Sequence, residues 1–383
     1  MPGAMPQRTG AAVKDPVSPA GGMRPVTRLE ALLLGAGARL DRFVLERFLR
    51  RRAFAAPPDG AALRARLARG RVFYADPRFA ADPAAFFVPP APLRARVRQR
   101  GRLADGELLD LVYTTDFTPV FPEARDDPAG GTTPEVGLAR WWRHRRTGHP
   151  AMLCVHGYAG GNFLLERLAF EAGRFYRAGV DVLIYVLPYH GARTPAGARH
   201  SGEPFFDIDL VRTNEAFAQA VYELRALLRY LRAAGTGPVG AFGMSLGGYT
   251  TALLASVEPE LAFAVPMIPL ASLADMMWAK GEGDPRMARA IEHGWTFSAL
   301  RDFFAVHAPL GRPPLVPVAR RLIIAALGDR ICPPEHAVAL WEHWDRPRIH
   351  WYPGGHLAQF RRSSALREVR TLMRDAGLLA PGR

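Results

Sequence analysis

Short, almost purely apolar runs alternate along this chain with longer stretches in which apolar positions recur every three or four residues. The runs at 107–113, 151–156, 181–187, 238–243, 261–266, 320–329 and 348–352 read as strands. Helical spacing near 162–178, 211–234 and 247–256, and again after Pro333-Pro334, predicts helices between them. Strands that alternate with helices imply an α/β fold, with a mostly parallel central sheet covered by helices on both faces. The Pro-, Gly- and Asp-rich stretch 122–138 reads as a surface loop.

Two segments depart from this rhythm. Between Leu270 and Arg320 some fifty residues separate consecutive strands, far more than the ~2–6 residues of an ordinary αβ connection. This stretch holds Met276, Met277, Trp278, Met287, Trp295, Phe297, Phe303 and Phe304. It reads as a helical cap whose aromatic and Met face lines a pocket, or as a helical insertion that buries those side chains in its own core. Upstream, Leu29, Leu32, Leu33, Leu40, Phe43, Val44 and Phe48 recur at helical spacing, interleaved with Arg39, Arg42, Arg47, Arg50, Arg51 and Arg52. A helix packed on the rest of the chain with solvated arginines is the expected reading. The alternative is a basic amphipathic helix, with residues 28–52 in peripheral contact with an anionic membrane. The expected organisation is a flexible tail at 1–27, an N-terminal helical extension at 28–104, a catalytic domain at 105–270 and 320–380, and the cap at 271–319.

The chemistry sits at strand ends. Gly243-Met244-Ser245-Leu246-Gly247 closes the apolar run 238–243 and has the form of a nucleophile elbow. There a sharp strand-to-helix turn leaves the serine strained with Oγ exposed, and glycine is needed two residues either side. Downstream, the strand at 320–329 ends on Gly328-Asp329, and the strand at 348–352 is followed by Pro353-Gly354-Gly355-His356. Upstream, the strand at 151–156 runs into His156-Gly157-Tyr158-Ala159-Gly160. Four strand-end motifs in this order match one architecture. From roughly residue 107 to 378 the chain resembles an α/β-hydrolase. Three features, the 187–193 stretch LPYHGAR, Gly243–Gly248 and Tyr352–His356, are similar to the α/β-hydrolase domain-containing protein eighteen family and its bacterial relatives.

A serine hydroxyl needs a base, and the base needs a carboxylate that fixes its tautomer. Ser245, His356 and Asp329 are expected in those roles, with Asp275 the rival acid because some hydrolases carry it after the preceding strand. The N–H groups of Leu246 and Tyr158, or Ala159 in place of Tyr158, are expected to form the oxyanion hole. His156 is expected to be a scaffold of that loop, and His156, Met244, Trp278 and Trp295 are the candidate pocket residues. Arg193 is expected in a loop-bracing ion pair, with Asp207 and Asp209 as candidate partners.

Composition narrows this further. Net charge is +14, yet lysine occurs only at Lys14 and Lys280 and arginine supplies the rest, which is how GC-rich coding sequence reads. With no nucleic-acid motif, nucleic acid is not an expected partner. Glu335-His336 and Glu342-His343 recur at seven residues, too wide a spacing for two ligands of one metal, and no Walker loop is present; neither metal nor cofactor is expected. No apolar run reaches the ~18 residues of a spanning helix, no secretory signal is recognisable, and two cysteines make no disulfide framework. A cytoplasmic location follows. The expected function is hydrolysis of a hydrophobic or lipid-like carboxylic ester through an acyl-enzyme. Acyl transfer or thioester cleavage by the same residues, or a non-catalytic binding role at an anionic membrane surface, are the alternatives.

Overall fold

A computed structural model describes residues 27–51, 60–125, 135–206, 208–282, 285–360 and 362–380. The expected tail therefore falls, save Thr27, outside the described residues, as do Arg52 and Asp207 and the side chains of Arg47, Phe48, Arg50 and Arg51. Nine strands form one sheet: β1 (Ala95–Leu103), β2 (Gly106–Thr114), β3 (Val136–His144), β4 (Ala151–Val155), β5 (Asp181–Tyr185), β6 (Val239–Met244), β7 (Ala264–Met267), β8 (Leu322–Ala326) and β9 (Arg348–Tyr352). Their order is β1-β2-β3-β5-β4-β6-β7-β8-β9. Pairing is antiparallel from β1 through β3 to β5 and parallel from β5 to β9.

Burial follows pairing. Every residue of β4, β5, β6, β7 and β8 is buried, as expected for parallel strands covered on both faces. β1 is an exposed edge carrying Arg96, Arg98, Arg100 and Arg102, charges that discourage edge-to-edge pairing with another chain. It lies inside the stretch expected to be helical, so the sheet begins one strand earlier than the apolar runs indicated. β3 overlaps the end of the predicted 122–138 loop. Its Arg140 stands opposite Asp110 of β2 and donates from Nε to Oδ1 at 2.6 Å and from Nη2 to Oδ2 at 3.0 Å.

The helices are α1 (Arg28–Arg51), α2 (Gly60–Tyr74), α3 (Arg78–Ala81), α4 (Phe163–Ala169), α5 (Ala172–Arg177), α6 (Leu210–Ala233), α7 (Leu246–Val257), α8 (Leu273–Gly281), α9 (Pro285–Glu292), α10 (Phe297–Phe304), α11 (Pro334–His343) and α12 (Arg362–Asp375). The single helix expected near 162–178 is broken into α4 and α5 at Glu171, whose φ is 47°. One core cluster packs α6, α7, α10 and α11 against the sheet; a second packs α4, α5 and α12 against the other face. The inserted segment contains α8, α9 and α10, and Phe303 of α10 is buried against Tyr74 of α2 at 5.3 Å between ring centroids.

α1 opens on a capping box. The Glu30 N–H donates to Thr27 Oγ1 at 3.2 Å, and the Thr27 N–H donates to Glu30 Oε2 at 3.0 Å. Its apolar Leu29, Leu32, Leu40 and Phe43 are exposed, while Glu30, Gly37 and Asp41 are buried, so the packed face is the polar one. Among the described residues no helix is long and apolar enough to cross a membrane.

Candidate active site

Ser245 lies between the last residue of β6 and the first of α7, at φ 57° and ψ −116°. Only a tight turn forces an L-residue there. The flanking glycines follow from contact distances. A Cβ on Gly243 would fall 2.0 Å from Gly247 O, and one on Gly247 would fall 1.9 Å from Val155 O. No real Cβ atom approaches backbone that closely, so both positions demand glycine.

Asp329 follows β8 and His356 follows β9, and the structure brings both to the serine. His356 Nε2 lies 2.8 Å from Ser245 Oγ, and His356 Nδ1 lies 2.7 Å from Asp329 Oδ2. Asp329 is 1% exposed, and its Oδ1 accepts the N–H groups of Ile331 at 2.9 Å and Cys332 at 2.8 Å. With Oδ1 engaged, Oδ2 is the acceptor for Nδ1–H, which leaves Nε2 to accept the serine proton. Burial presses the His356 imidazole toward neutrality, but the charge and hydrogen bond of Asp329 outweigh it. With Asp41 adding to them and Lys280 opposing, the pKa ends above the ordinary histidine value. Asp275 is exposed in the first turn of α8, where its N–H donates to the capping Ser272 Oγ at 3.2 Å. The acid beside His356 is Asp329.

The loop after β4 lies over the serine: a Cβ on Gly157 would sit 3.4 Å from Ser245 Cβ. His156 is fully buried within that loop. Its Nδ1 lies 2.8 Å from Gly157 O, and the Leu187 N–H donates to its Nε2 at 3.1 Å. Burial pushes its pKa down to about 4, so it is neutral and engaged at both nitrogens. Leu246 opens α7, so its N–H has no acceptor within the helix and is available to an oxyanion. Tyr158, two residues after His156 in the loop that follows β4, is half-buried, its ring 5.3 Å from Phe206.

Of the candidate pocket residues, His156 lies in the loop over the serine, and the other three pack in or against the two core clusters. Met244 packs into the second core cluster with Phe242, because alternate residues of β6 face opposite sides of the sheet. Trp278 meets Phe297 at 5.6 Å and Trp295 meets Phe303 at 5.6 Å, contacts within the insertion itself. From α8, Lys280 Nζ donates to Arg330 O at 2.9 Å, joining the insertion to the loop that carries Asp329.

Comparison with known proteins identifies the family and the fold. The family model for alpha/beta hydrolase domain containing 18 matches residues 131–290, a span that includes His156, Gly157 and Ser245. An uncharacterized protein of Mycobacterium tuberculosis is 31% identical over 334 residues, which are 82% of this chain and 75% of that one. The chain belongs to the alpha/beta hydrolase domain containing 18 family. Among solved structures, this family member is similar to acetyl xylan esterase 1 from a Thermoanaerobacterium species, with 15% identity, a TM-score of 0.53, and 81% of this chain and 94% of that one covered. An acetyl xylan esterase from a Paenibacillus species aligns over 79% of this chain and 93% of its own, with a TM-score of 0.52 and 15% identity. The shared feature is the α/β-hydrolase fold.

Two residues of the family member's site region were not legible beforehand. Arg193 does form a bracing pair, with an acid that was not among the candidates; Asp207 lies outside the described residues. Its Nη1 and Nη2 donate to the buried Glu223 of α6 at 2.7 and 2.8 Å, while Asp209 faces Arg66 at 3.2 Å. Asp41 of α1 is fully buried and accepts the His356 N–H at 2.6 Å. It is one of three acids in that helix, with Glu30 and Glu46, and nothing in the sequence set it apart.

Proposed function

We propose that the protein is a serine hydrolase that cleaves a carboxylic ester through an acyl-enzyme on Ser245. His356 is the base and Asp329 orients it. One observation carries this: a hydrogen-bonded chain from Asp329 through His356 that ends on a serine held at φ 57°. In the first step Ser245 Oγ bonds to the substrate carbonyl carbon while its proton passes to His356 Nε2. The carbonyl electron pair moves to oxygen, where the N–H groups of Leu246 and Tyr158 receive it. Collapse breaks the ester C–O bond, and the departing alkoxide takes the proton from His356. Water then gives its proton to His356 and bonds to the acyl carbon. Collapse releases the acid and returns the proton to Ser245 Oγ. These steps call for neither cofactor nor metal.

The half-buried Met276, Trp278, Trp295 and Phe297 of the insertion support a hydrophobic ester as the substrate class, with the insertion acting as a lid. The fold neighbours named as acetyl xylan esterases agree with an ester. Exposed Leu29, Leu32, Leu40 and Phe43 beside exposed Arg39 and Arg42 on α1 support a peripheral contact with an anionic membrane surface. Cys154 and Cys332 are buried free thiols, which suits a reducing compartment, and we assign the protein to the cytoplasm. Labelling with a fluorophosphonate tests the site. The intact protein is expected to label, and Ser245→Ala and His356→Ala are expected not to. A folded wild type that does not label overturns the reading.

A further inference from the structure

α1 meets the two loops that carry Asp329 and His356 with backbone and carboxylate instead of apolar side chains. A Cβ on Gly37 would lie 2.4 Å from Gly355 N, and one on Gly328 would lie 3.1 Å from Leu34 O. Backbone therefore touches backbone at both loops. One turn beyond Gly37, the Asp41 carboxylate takes three backbone N–H groups. Oδ2 accepts from His356 at 2.6 Å and from Arg330 at 3.2 Å, and Oδ1 accepts from Leu357 at 3.0 Å.

Those donors belong to different connections. Arg330 directly follows Asp329 after β8, whereas His356 and Leu357 follow β9. A single carboxylate thus ties the peptide next to the acid to the peptide of the base itself. Two glycines, Gly354 at φ 134° and Gly355, precede His356; the Gly328 N–H donates to Gly354 O at 2.8 Å, and Asp41 fixes the peptides that follow. Burying a carboxylate costs several kcal/mol unless its oxygens are hydrogen-bonded, and these are. A brace alone could be built from apolar packing. What a charge adds is a fixed set of N–H directions and a negative field at the imidazole.

We propose that Asp41 is a positioning residue that holds the Asp329 and His356 loops in mutual register, making the N-terminal helix a working part of the active site. Its consequence for rate rests on the serine hydrolase reading; its consequence for His356 does not. The charged groups that act on His356 are Asp329 from the loop after β8, Asp41 from α1 and Lys280 from α8; the Cys332 thiol sits among the same three. Removing the Asp41 charge leaves Lys280 less opposed, so the imidazolium becomes less favourable and the His356 pKa falls.

The test uses the full chain carrying Asp41→Asn, with the His356 ring titrated by NMR and fluorophosphonate labelling rates followed against pH. The His356 pKa and the acid limb of labelling are expected to move down together. At a pH where His356 is neutral in both proteins, labelling is expected to slow by about tenfold or more, since a misplacement of about 1 Å can cost about 10²-fold and a smaller one less. A titration and a labelling rate both equal to wild type overturn the proposal. Should Asp41→Asn not fold, Gly37→Ala carries the test: it keeps every charge but drives the helix off Gly355. Slowed labelling by a folded Gly37→Ala supports the clamp, and an unchanged rate refutes it. If the wild type never labels, the hydrolase reading falls; the clamp then stands if Gly37→Ala, which keeps every charge, also shifts the His356 ring resonances and titration, and falls if it leaves both unchanged.

Discussion

Replacing Asp329 by asparagine changes one atom and inverts the logic of the site. In the native protein Oδ1 is committed to the N–H groups of Ile331 and Cys332, at 2.9 and 2.8 Å. The asparagine oxygen must keep those two bonds, because turning the amide would set its NH2 against two donors. The NH2 therefore faces His356 Nδ1, where the carboxylate oxygen stood 2.7 Å away. It can only donate there, so Nδ1 becomes the acceptor and the ring proton moves to Nε2, facing Ser245 Oγ. A protonated Nε2 cannot take the serine proton. In a serine protease this same exchange lowers kcat about 10⁴-fold, which is about 5 kcal/mol of transition-state stabilisation. A loss of that order is expected here. Ester turnover and fluorophosphonate labelling are measured for Asp329→Asn and, alongside it, Asp275→Asn. Asp275 is exposed at the start of α8, so its variant is expected to match wild type. Retention of activity within about tenfold by Asp329→Asn, well short of the 10⁴-fold loss, or loss in Asp275→Asn alone, refutes the reasoning.

Three further outcomes follow from particular contacts. Activity requires neutral His356, which is protonated at low pH, so kcat/KM is expected to rise with pH through a midpoint above 6.5, the ordinary histidine value; a midpoint at or below it contradicts the assigned field. Glu223→Ala strands the buried Arg193 guanidinium without its carboxylate, and is expected to cost about 3–5 kcal/mol in a chemical-denaturation curve; a loss under about 1 kcal/mol is surface-pair behaviour and says that the pair is not isolated from water. For α1, the wild type is expected to co-float with anionic vesicles and the double variant Leu32→Glu, Phe43→Glu to remain behind, with equal flotation counting against membrane contact.

The elbow could be read from sequence because its constraint is local. Gly243 and Gly247 are needed by atoms within a few residues or on the adjacent strand, so the spacing itself carries the geometry. The parallel strands were equally legible, since burial on both faces leaves continuous apolar runs. β3 was not, because its Arg140 and Arg143 interrupt the apolar run and their partners lie elsewhere. For Arg193 the sequence offered Asp207 and Asp209, whereas the buried Glu223 that it meets lies thirty residues on within α6. Met244 was a pocket candidate through adjacency to Ser245, but the two-residue period of a strand turns it into the opposite layer. Asp41 reaches N–H groups 289 to 316 residues away, and a bond to backbone leaves no trace in the partner's residue type.

The central claim is a covalent acyl intermediate on Ser245. Its most direct test is rapid-quench intact-mass analysis of the protein mixed with an activated carboxylic ester, followed by peptide mapping. The account predicts an adduct of one acyl group, appearing before steady-state turnover and mapping to the peptide that contains Ser245. Steady turnover with no acyl mass on that peptide, or an adduct that persists in Ser245→Ala, contradicts it.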